Sequence, residues 1–535
     1  MKAKKLLAIL MALAMVISLA ACGSSSSDDT SESADTASGD TETAESDGEV
    51  VVGVYGTNYL VNPYDALCSA GINRSNTPQN MLIYEPLLLC DSNGEYSSRI
   101  LESWEWLDDY TFQITLKDGI YFDNGEQMTG EDVLYSLETI QTGQLPISFM
   151  YCLFDPELSY VSDDGLTVTL VSESINPQAT TYLEFPIMCK SWMESEGVEN
   201  IDWTDPSDIV FCGPYECVEY VEDSYAVYVK RDDYWGLDYG YDYDVETFTV
   251  RVYTDSTAMI ADYVNGIIDV AWGITSDDYD AVLAGDYENT EAGRISNNFV
   301  SWLALDLDNE YLSDIAVREA ICYAVNVEEL TETVMGSLGI AGTGLLATGM
   351  LGYTDDFQYE YDPDYALEVL EEAGYSEGDI TLLYTYKSSD PNQQATAEMV
   401  QAYLMAIGIT VELNPMDEST YSTEEAVDGY SDFAYYWMSN GSTDPGQFTG
   451  NLTSSANNVV VCRNGLYDDI ISEINGTTDT EAREEALYEL QQMMYENFDI
   501  LPLYEYCNGY MYNTEVIESM EVSFFAGDLL NIVLK

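Results

Sequence analysis

The side chains that enzymes use for nucleophilic and acid–base chemistry are unevenly represented in this sequence. Histidine is absent from the 535 residues, which excludes Ser-His-Asp and Cys-His nucleophiles, histidine metal ligands and an imidazole pH switch. The motifs G-x-S-x-G, S-x-x-K, G-x-x-x-x-G-K-[ST] and G-x-G-x-x-G are absent as well. We therefore expect a protein that is not an enzyme and that holds no cofactor.

Carboxylates are present in large number, with 97 Asp and Glu residues. A pair of carboxylates could serve a glycosidase, but in such an acidic chain any pair is expected by chance. Two clusters, "DYGYDYDVE" and "DLDNE", offer oxygen ligands to Ca²⁺, yet neither has the spacing and the glycine of an EF-hand loop. We interpret both as solvated acidic surface and expect no metal site.

One cysteine stands where the chain changes from apolar to hydrophilic, in "SLAACGSSSSDD". Three lysines among the first five residues precede an apolar run that is shorter than the roughly 20 residues of a membrane span, which is the pattern of a secretory signal peptide. The end of that run, "LAAC", resembles the lipobox of bacterial lipoproteins and predicts that Cys22 is lipidated. The alternative is an ordinary signal peptide with a chance cysteine. The polar segment that follows Cys22 has no aromatic residue and predicts a disordered linker.

The remaining cysteines do not form a recognisable framework. Besides Cys22 there are nine among the ten of the chain, an odd number without C-x-x-C spacing, so at least one is unpaired or pairs between chains. Cys212 and Cys217 flank the turn "GPY" and are the only close pair. We interpret both as free thiols that pack as small apolar groups, and a local disulfide is the alternative.

The charge of the chain is strongly unbalanced. Against 16 Lys and Arg residues stand 97 Asp and Glu residues, a formal net charge of −81. Such a surface repels nucleic acid and anionic lipid headgroups and concentrates cations. The charge therefore excludes a nucleic-acid partner. It indicates either a cationic ligand or adaptation of the whole surface to a salty medium, and the even spread of the acids favours adaptation.

Local signals predict a hairpin followed by a helix in "DDYTFQITLKDGIYFDNGEQMTGEDVLYSLETI". Phe112, Ile114 and Leu116 have the alternation of a half-buried strand, and a second short strand is expected to end at the turn "NG". Thr129, with Asp132 three residues later, is expected to cap a helix that has an apolar face.

Further along the chain, the signals predict helices that alternate with strands. Asp362 is expected to cap a helix that begins at Pro363 and ends before Gly374. A strand in "DITLLYTY", a helix ending at Gly408 and a strand in "ITVEL" then form a β-α-β unit, which predicts parallel pairing. A long helix over about residues 479–498 precedes the short run "ILPLYEY".

Five segments, in this order and spacing, resemble the extracytoplasmic solute-binding proteins of ABC importers for peptides, dipeptides and nickel (family 5). The resemblance covers nearly the whole chain after the linker. The segments are "ILESWEWLDDYTFQITLKDGIYFDNGEQMTGEDVLYSL", "FCGPYECVEY" with "VKRDDYWG", "DIAVREAICYAVN", "YDPDYALEVLEEAGY" and "REEALYELQQMMYENFDILPLYEY".

The resemblance implies an α/β fold of the periplasmic-binding-protein-like type II (cluster C). Two lobes joined by a hinge close over a ligand, and the discontinuous lobe carries an extra subdomain. The expected boundaries in this chain are the signal peptide 1–21, the linker 22–48, lobe I in three parts (49–96, 206–296 and 504–535), the extra subdomain 97–205 and lobe II 297–503.

The resemblance also implies where the ligand binds. In peptide-binding members an aspartate three residues after a tryptophan holds the ammonium group of the peptide, because a buried cation needs a paired anion. The corresponding segment here is "YYWMSNGSTDP", in which Trp437 is followed three residues later by the neutral Asn440. This weakens the case for free-amine peptides, unless Asp444 substitutes across a longer loop. Trp437 is expected to form a wall of the cleft, with packing inside a lobe as the alternative. Three residues of "LCSAGINRSN" are expected to present backbone to the ligand: Ser69, Ala70 and Gly71.

In functional terms, the resemblance implies the substrate-binding component of an ABC importer, a monomer that is lipid-anchored outside the cell membrane. Its expected partners are an oligopeptide ligand and ABC permease subunits, and the lipid anchor is its only membrane contact. An oligosaccharide or a metal chelate is the alternative ligand. The rival from a different class is an extracellular hydrolase, which the missing nucleophile motifs disfavour.

Overall fold

The computed structural model describes residues 48–56, 80–90, 96–142, 154–183, 185–197, 200–421, 432–439, 443–455, 465–522 and 529–535. All of these belong to one compact unit, Ser46–Lys535. The predicted signal peptide, Cys22 and all of the predicted linker except Gly48 lie outside the described residues.

The described residues contain nineteen strands, of which eleven belong to one mixed sheet. The strands are β1 (Glu49–Tyr55), β2 (Leu89–Cys90), β3 (Tyr96–Ser97), β4 (Leu101–Asp108), β5 (Thr111–Leu116), β6 (Tyr160–Val161), β7 (Thr167–Val171), β8 (Tyr215–Val221), β9 (Tyr225–Lys230), β10 (Thr247–Tyr253), β11 (Val270–Ile274), β12 (Thr290–Leu305), β13 (Gly339–Ala341), β14 (Thr381–Lys387), β15 (Thr410–Met416), β16 (Phe433–Ser439), β17 (Ile500–Asn513), β18 (Ile517–Met520) and β19 (Ile532–Leu534).

The helices of the described residues lie on and around this sheet. They are α1 (Asn80–Ile83), α2 (Gly130–Thr142), α3 (Lys190–Glu196), α4 (Ser256–Val264), α5 (Ser276–Ala284), α6 (Ile315–Ala324), α7 (Val327–Met335), α8 (Pro363–Ala373), α9 (Pro391–Ala406), α10 (Glu418–Thr420), α11 (Gly446–Gly450), α12 (Asp468–Ile474) and α13 (Thr480–Glu496). No helix within these ranges combines the length and the apolar character needed to cross a membrane.

The large sheet has the strand order β15-β14-β16-β12-β17-β11-β1-β10-β9-β8, and β13 pairs with β17 beside this path. Two groups of parallel strands occur in it, β14 with β15 and β16 on one side and β1 with β10 and β11 on the other. The long strands β12 and β17 run antiparallel to each other between the two groups. They are therefore the part of the sheet that connects its two halves.

Buried apolar side chains form separate clusters in the two halves of the sheet and the helices around them. Among the described residues they form four clusters, of which two lie within residues 300–504. The other two draw on residues 50–282 and 510–532, with Leu338 as the exception. The middle parts of β12 and β17 lie between these cores, because their residues around 296–298 and 505–509 contribute little to any cluster.

Most of the local predictions are confirmed. Asp362 accepts a hydrogen bond from the Tyr365 amide at 2.9 Å, and the helix ends at Gly374, whose φ of +94° lies in the left-handed region that glycine tolerates best. The predicted β-α-β unit is β14-α9-β15, and its two strands pair in parallel. Asp132 accepts hydrogen bonds from the amide and the hydroxyl of Thr129, which fixes the start of α2.

One prediction is wrong, and one element was not predicted. The second short strand expected before the turn "NG" is only an isolated bridge between Tyr121 and Gln127. The short run "ILPLYEY" is the first half of β17, a strand of 14 residues. It is long because it pairs with strands of both halves of the sheet, β11 at one end and β13 nearer the other, a long-range effect that a local pattern does not carry.

Candidate functional site

The carboxyl ends of the two groups of parallel strands face each other across the middle of β12 and β17. At the end of β16, Ser439 pairs with Phe299, which in turn pairs with Tyr506. On the other side, Ile274 at the carboxyl end of β11 pairs with Gly509 of β17. Ligands of open α/β sheets bind outside the carboxyl ends of the parallel strands. The space between the two sets of strand ends is therefore the candidate binding site.

A group of polar residues, which we call the polar midsection, occupies the connecting strands at this level: Ser296, Asn297, Asn298, Glu505 and Asn508. The register of the β12–β17 pair shifts between Ser296 and Phe299, and Asn298 adopts a φ of +52°, as bulged residues with short polar side chains do. The Asn297 side-chain amide donates to Asn508 Oδ1 at 3.2 Å. The bulge thus turns hydrogen-bonding groups toward one another where the two halves of the sheet meet.

Glu505 carries the charge of the polar midsection. The residue is only 2% exposed, and its Oε1 accepts a hydrogen bond from the Thr348 amide at 2.7 Å. Its Oε2 accepts from the Thr348 hydroxyl at 2.7 Å and from the Ser296 hydroxyl at 3.2 Å. Burial raises the pKa of Glu505 above that of an exposed glutamate, while these hydrogen bonds and the charge of Arg294 oppose the shift.

The strand end at β16 contains the first of the predicted site residues. The backbone of Trp437 pairs with Ser301 in β12, two residues before the carboxyl end of β16. Asn440 follows that end directly and lies outside the described residues. At the neighbouring strand end, Lys387 closes β14, and its Nζ lies 5.5 Å from the centre of the Tyr421 ring. A positive charge is therefore present at the same edge of the sheet.

The strand end at β1 leads into the second predicted segment. Residues 57–79 follow β1 and include Ser69, Ala70 and Gly71, all of which lie outside the described residues. Because β1 ends at the same level as β11, the chain leaves the sheet at the candidate site and re-enters the described fold at α1.

Asp444 has a different environment from the one the sequence suggests. It is buried, and its two oxygens accept hydrogen bonds from Arg483 Nη1 and Nη2 at 2.5 and 2.6 Å. Arg483 comes from α13 and also donates from Nε to the Ile474 carbonyl at 2.9 Å. Asp444 Oδ1 accepts from the Gly446 amide as well. The carboxylate is thus held in a bidentate ion pair that fixes the loop after β16 against α13.

Two polar contacts join the halves of the molecule away from the connecting strands. The Tyr96 hydroxyl lies 3.2 Å from the Thr443 hydroxyl. In the turn between β4 and β5, Asp109 Oδ1 accepts hydrogen bonds from the Thr478 amide at 3.3 Å and from its hydroxyl at 3.0 Å. These residues belong to neither β12 nor β17, so the two halves have attachments beyond the two long strands.

Neither metal chemistry nor thiol chemistry is indicated in the described part of the chain. No three or more Cys, Asp or Glu side chains there are grouped to hold a metal ion. Cys212 and Cys217 are both free and buried, which confirms the interpretation of that pair as packed thiols. Burial raises the pKa of the Cys212 thiol well above its ordinary value, which disfavours the thiolate form that reacts as a nucleophile.

Sequence reasoning missed the residues of the polar midsection. Glu505 stands in "LPLYEY", where a glutamate between two tyrosines in an apolar strand is an unexpected charge. The pair "NN" at Asn297 and Asn298 is the second signal, because asparagine tolerates a positive φ. Both signals are visible in the sequence, but only the pairing of β12 with β17 brings them together.

Comparisons with known proteins agree with this architecture. The profile described as "Bacterial extracellular solute-binding proteins, family 5 Middle" matches residues 95–459, more than half of the chain. The chain is 26% identical over 432 residues to the heme-binding protein A of Haemophilus influenzae, covering 74% of this chain and 76% of that protein. It is 24% identical over 432 residues to the dipeptide-binding protein of Escherichia coli, covering 74% and 78%.

Among solved structures, HbpA2 from Haemophilus parasuis matches with a TM-score of 0.77 and 18% identity, covering 91% of this chain and 100% of that one. The expected type II periplasmic-binding-protein fold is thereby confirmed, as is the resemblance noted in the sequence. The chain belongs to family 5 of the bacterial extracellular solute-binding proteins, which are the substrate-binding components of ABC importers.

Proposed function

We propose that the protein captures an oligopeptide between two lobes outside the cell and delivers it to the permease of an ABC importer. The observation that carries the proposal is the meeting of two sets of strand carboxyl ends across the polar midsection. Amide, hydroxyl and carboxylate groups at this level suit a ligand that is rich in hydrogen-bonding groups, as a peptide backbone is.

The proposed lobes keep the boundaries expected from the sequence. Lobe II comprises residues 297–503, and lobe I, with its extra subdomain, comprises the remainder of 49–535. The division of the apolar cores between residues 300–504 and the rest supports this assignment. The bulge at Asn298 is a natural hinge position, because an irregular residue in a connecting strand absorbs changes in φ and ψ.

We assign the predicted site residues different roles. Trp437, Asn440 and the backbone of Ser69, Ala70 and Gly71 belong to segments at the carboxyl ends of β16 and β1, and we propose that they line the cleft. Asp444 is assigned to positioning the loop after β16, since its carboxylate is already paired with Arg483.

The ligand class has one specific alternative. One relative carries the name of a dipeptide-binding protein and another that of a heme-binding protein, so a metal chelate is the second candidate. Native mass spectrometry of freshly purified protein separates the two by the mass of the solute that co-purifies. Peptide masses are expected, and a chelate mass contradicts the peptide assignment.

A turnover assay beside a thermal-shift screen tests the function itself. Specific ligands raise the melting temperature by mass action, and we expect such ligands to be recovered unaltered. Release of cleavage products would favour the hydrolase instead. Anchoring through Cys22 is tested separately, because Cys22→Ala is expected to move the protein from the membrane fraction to the medium.

A further inference from the structure

The buried acids of the described residues differ in how their charge is compensated. Three of them lie within ion-pair distance of an arginine: Glu85 with Arg99 at 2.7 Å, Asp444 with Arg483 at 2.5 Å and Asp499 with Arg318 at 3.4 Å. A fourth, Asp132, lies in the first turn of α2, where the helix macrodipole favours a negative charge. Three of these acids are thus paired with an arginine, and Asp132 lies at the positive end of a helix.

Glu505 is the buried acid without such compensation. No Lys or Arg among the described residues lies within 4.0 Å of it, and it sits in the middle of a strand. Arg294, whose charge favours the ionised form of Glu505, donates from Nη1 to the carbonyls of Ser337 and Gly339. A buried carboxylate without a cation is costly, so the fold tolerates at this position a charge that it does not neutralise.

The position of Glu505 matches the place where a ligand is expected. Its strand neighbours are Val300 in β12 and Ile340 in β13, and it lies in the polar midsection toward which the strand carboxyl ends point. Three hydrogen bonds from Thr348 and Ser296 orient the carboxylate. A carboxylate has about four acceptor positions, so an acceptor position is left for one more donor.

We propose that Glu505 is the counter-charge for a cationic group of the ligand, an ammonium or a guanidinium. This inference rests on the proposed function, since it concerns the same cleft and narrows the ligand class to solutes that carry a positive charge. It also accounts for the neutral Asn440 after β16, because the anion that a bound amine needs comes from the connecting strand instead.

The test uses two peptide libraries of three to five residues, both built from uncharged amino acids. One has free amino termini and the other is N-acetylated, so that the two differ only in the ammonium group. Native mass spectrometry of the mature protein is expected to retain free-amine members about tenfold better than acetylated ones. Calorimetry on the best binder is then expected to show that Glu505→Gln raises Kd by about 30-fold or more, as loss of one partner of a buried charge pair does.

Glu291→Gln is the matched control, since it removes an equal charge from the same pair of strands. Glu291 is exposed, and its carboxylate accepts from the Tyr512 hydroxyl, so Kd is expected to stay within about twofold. Equal retention of acetylated peptides by the wild-type protein overturns the inference, whether or not Glu505→Gln folds. Unchanged affinity and preference in a folded Glu505→Gln protein overturns it as well.

The failure of the inference can be told from that of the proposed function. If the wild-type protein retains only solutes without a positive charge, Glu505 is not a counter-charge but the protein still binds solutes. If it retains no member of either library and no solute from an extract of growth medium, the solute-binding function itself is refuted.

Discussion

The ion pair of Asp444 with Arg483 gives the sharpest test of how the site is built, because it separates a structural acid from a ligand-binding one. Both residues are buried, with exposures of 6% and 3%, and two hydrogen bonds of 2.5 and 2.6 Å join them. The perturbation is Asp444→Asn, which keeps the shape of the side chain and removes its charge. The guanidinium of Arg483 is then left buried without a counter-charge.

The expected cost follows from that burial. Removing one partner of a buried ion pair costs about 3–5 kcal/mol, and the value is expected near the lower end, because the substituted amide keeps an oxygen that accepts from Arg483. For an unfolding unit of the size of the proposed lobe II, about 200 residues, each kcal/mol lowers Tm by about 2–4 °C. The melting temperature of ligand-free Asp444→Asn should therefore fall by about 6 °C or more.

Thermal unfolding followed by circular dichroism, together with calorimetric titration of a peptide ligand, measures both consequences. Asp469→Asn is the control, because Asp469 is exposed and such a surface change stays within about 0.5 kcal/mol. Arg483→Met alone and the double variant complete a cycle, in which the double variant should be less destabilised than the sum of the single ones.

The refuting result is specific. If Asp444→Asn melts within about 2 °C of the wild-type protein while Kd for the peptide rises more than about tenfold, the acid faces the ligand. The assignment of Asp444 to loop positioning would then be wrong, and its role as an ammonium partner would be restored.

Three further predictions concern pH, closure and the amine site. Burial raises the pKa of Asp499 to about 6, so the native state holds a proton that the unfolded chain has lost. The resulting stabilisation is present below the unfolded pKa near 3.8 and is lost as pH rises through about 6. In Asp499→Asn, Tm should therefore fall less between about pH 4 and 7 than it does in the wild-type protein. Parallel curves of Tm against pH for the two proteins would contradict this. Asp109→Ala removes the hydrogen bonds to Thr478, which are worth about 1 kcal/mol. If these bonds stabilise the closed, ligand-bound state, the ligand Kd measured by calorimetry should rise roughly fivefold. An unchanged Kd would show that this contact does not hold the closed state. Asn440→Asp should change the affinity for free-amine peptides by no more than about twofold, because Glu505 already pairs with the bound amine. A gain of about tenfold or more in the folded variant would show that the amine is bound at the end of β16 instead.

The sequence predicts best those features whose cause lies within a few residues. Asp362 caps α8 and Gly374 ends it because both effects act inside one helical turn. The parallel pairing of β14 with β15 follows from the helix between them. Four of the five landmark segments lie within residues 95–459, which the family profile matches.

The features that escape the sequence depend on contacts between distant parts of the chain. Asp444 and Arg483 are 39 positions apart, and nothing in "STDP" shows that a helix will bring an arginine to the aspartate. Glu505 meets Ser296 across 209 positions. The length of β17 depends in the same way on β11 and β13, each of which it meets through tertiary folding.

The position of Glu505 has a consequence for closure that a loop residue would not have. Its carboxylate accepts hydrogen bonds from Ser296, which precedes the bulge in β12 and falls in the proposed lobe I, and from Thr348, which falls in the proposed lobe II. A ligand can shift a conformational equilibrium only by its difference in affinity for the two states. A bound cation favours the ionised form of Glu505, which is the stronger acceptor for both hydroxyls. A cationic ligand group paired with Glu505 therefore stabilises the hydrogen bonds from Ser296 and from Thr348 at once. Neutral solutes that fill the same cleft should close it less completely.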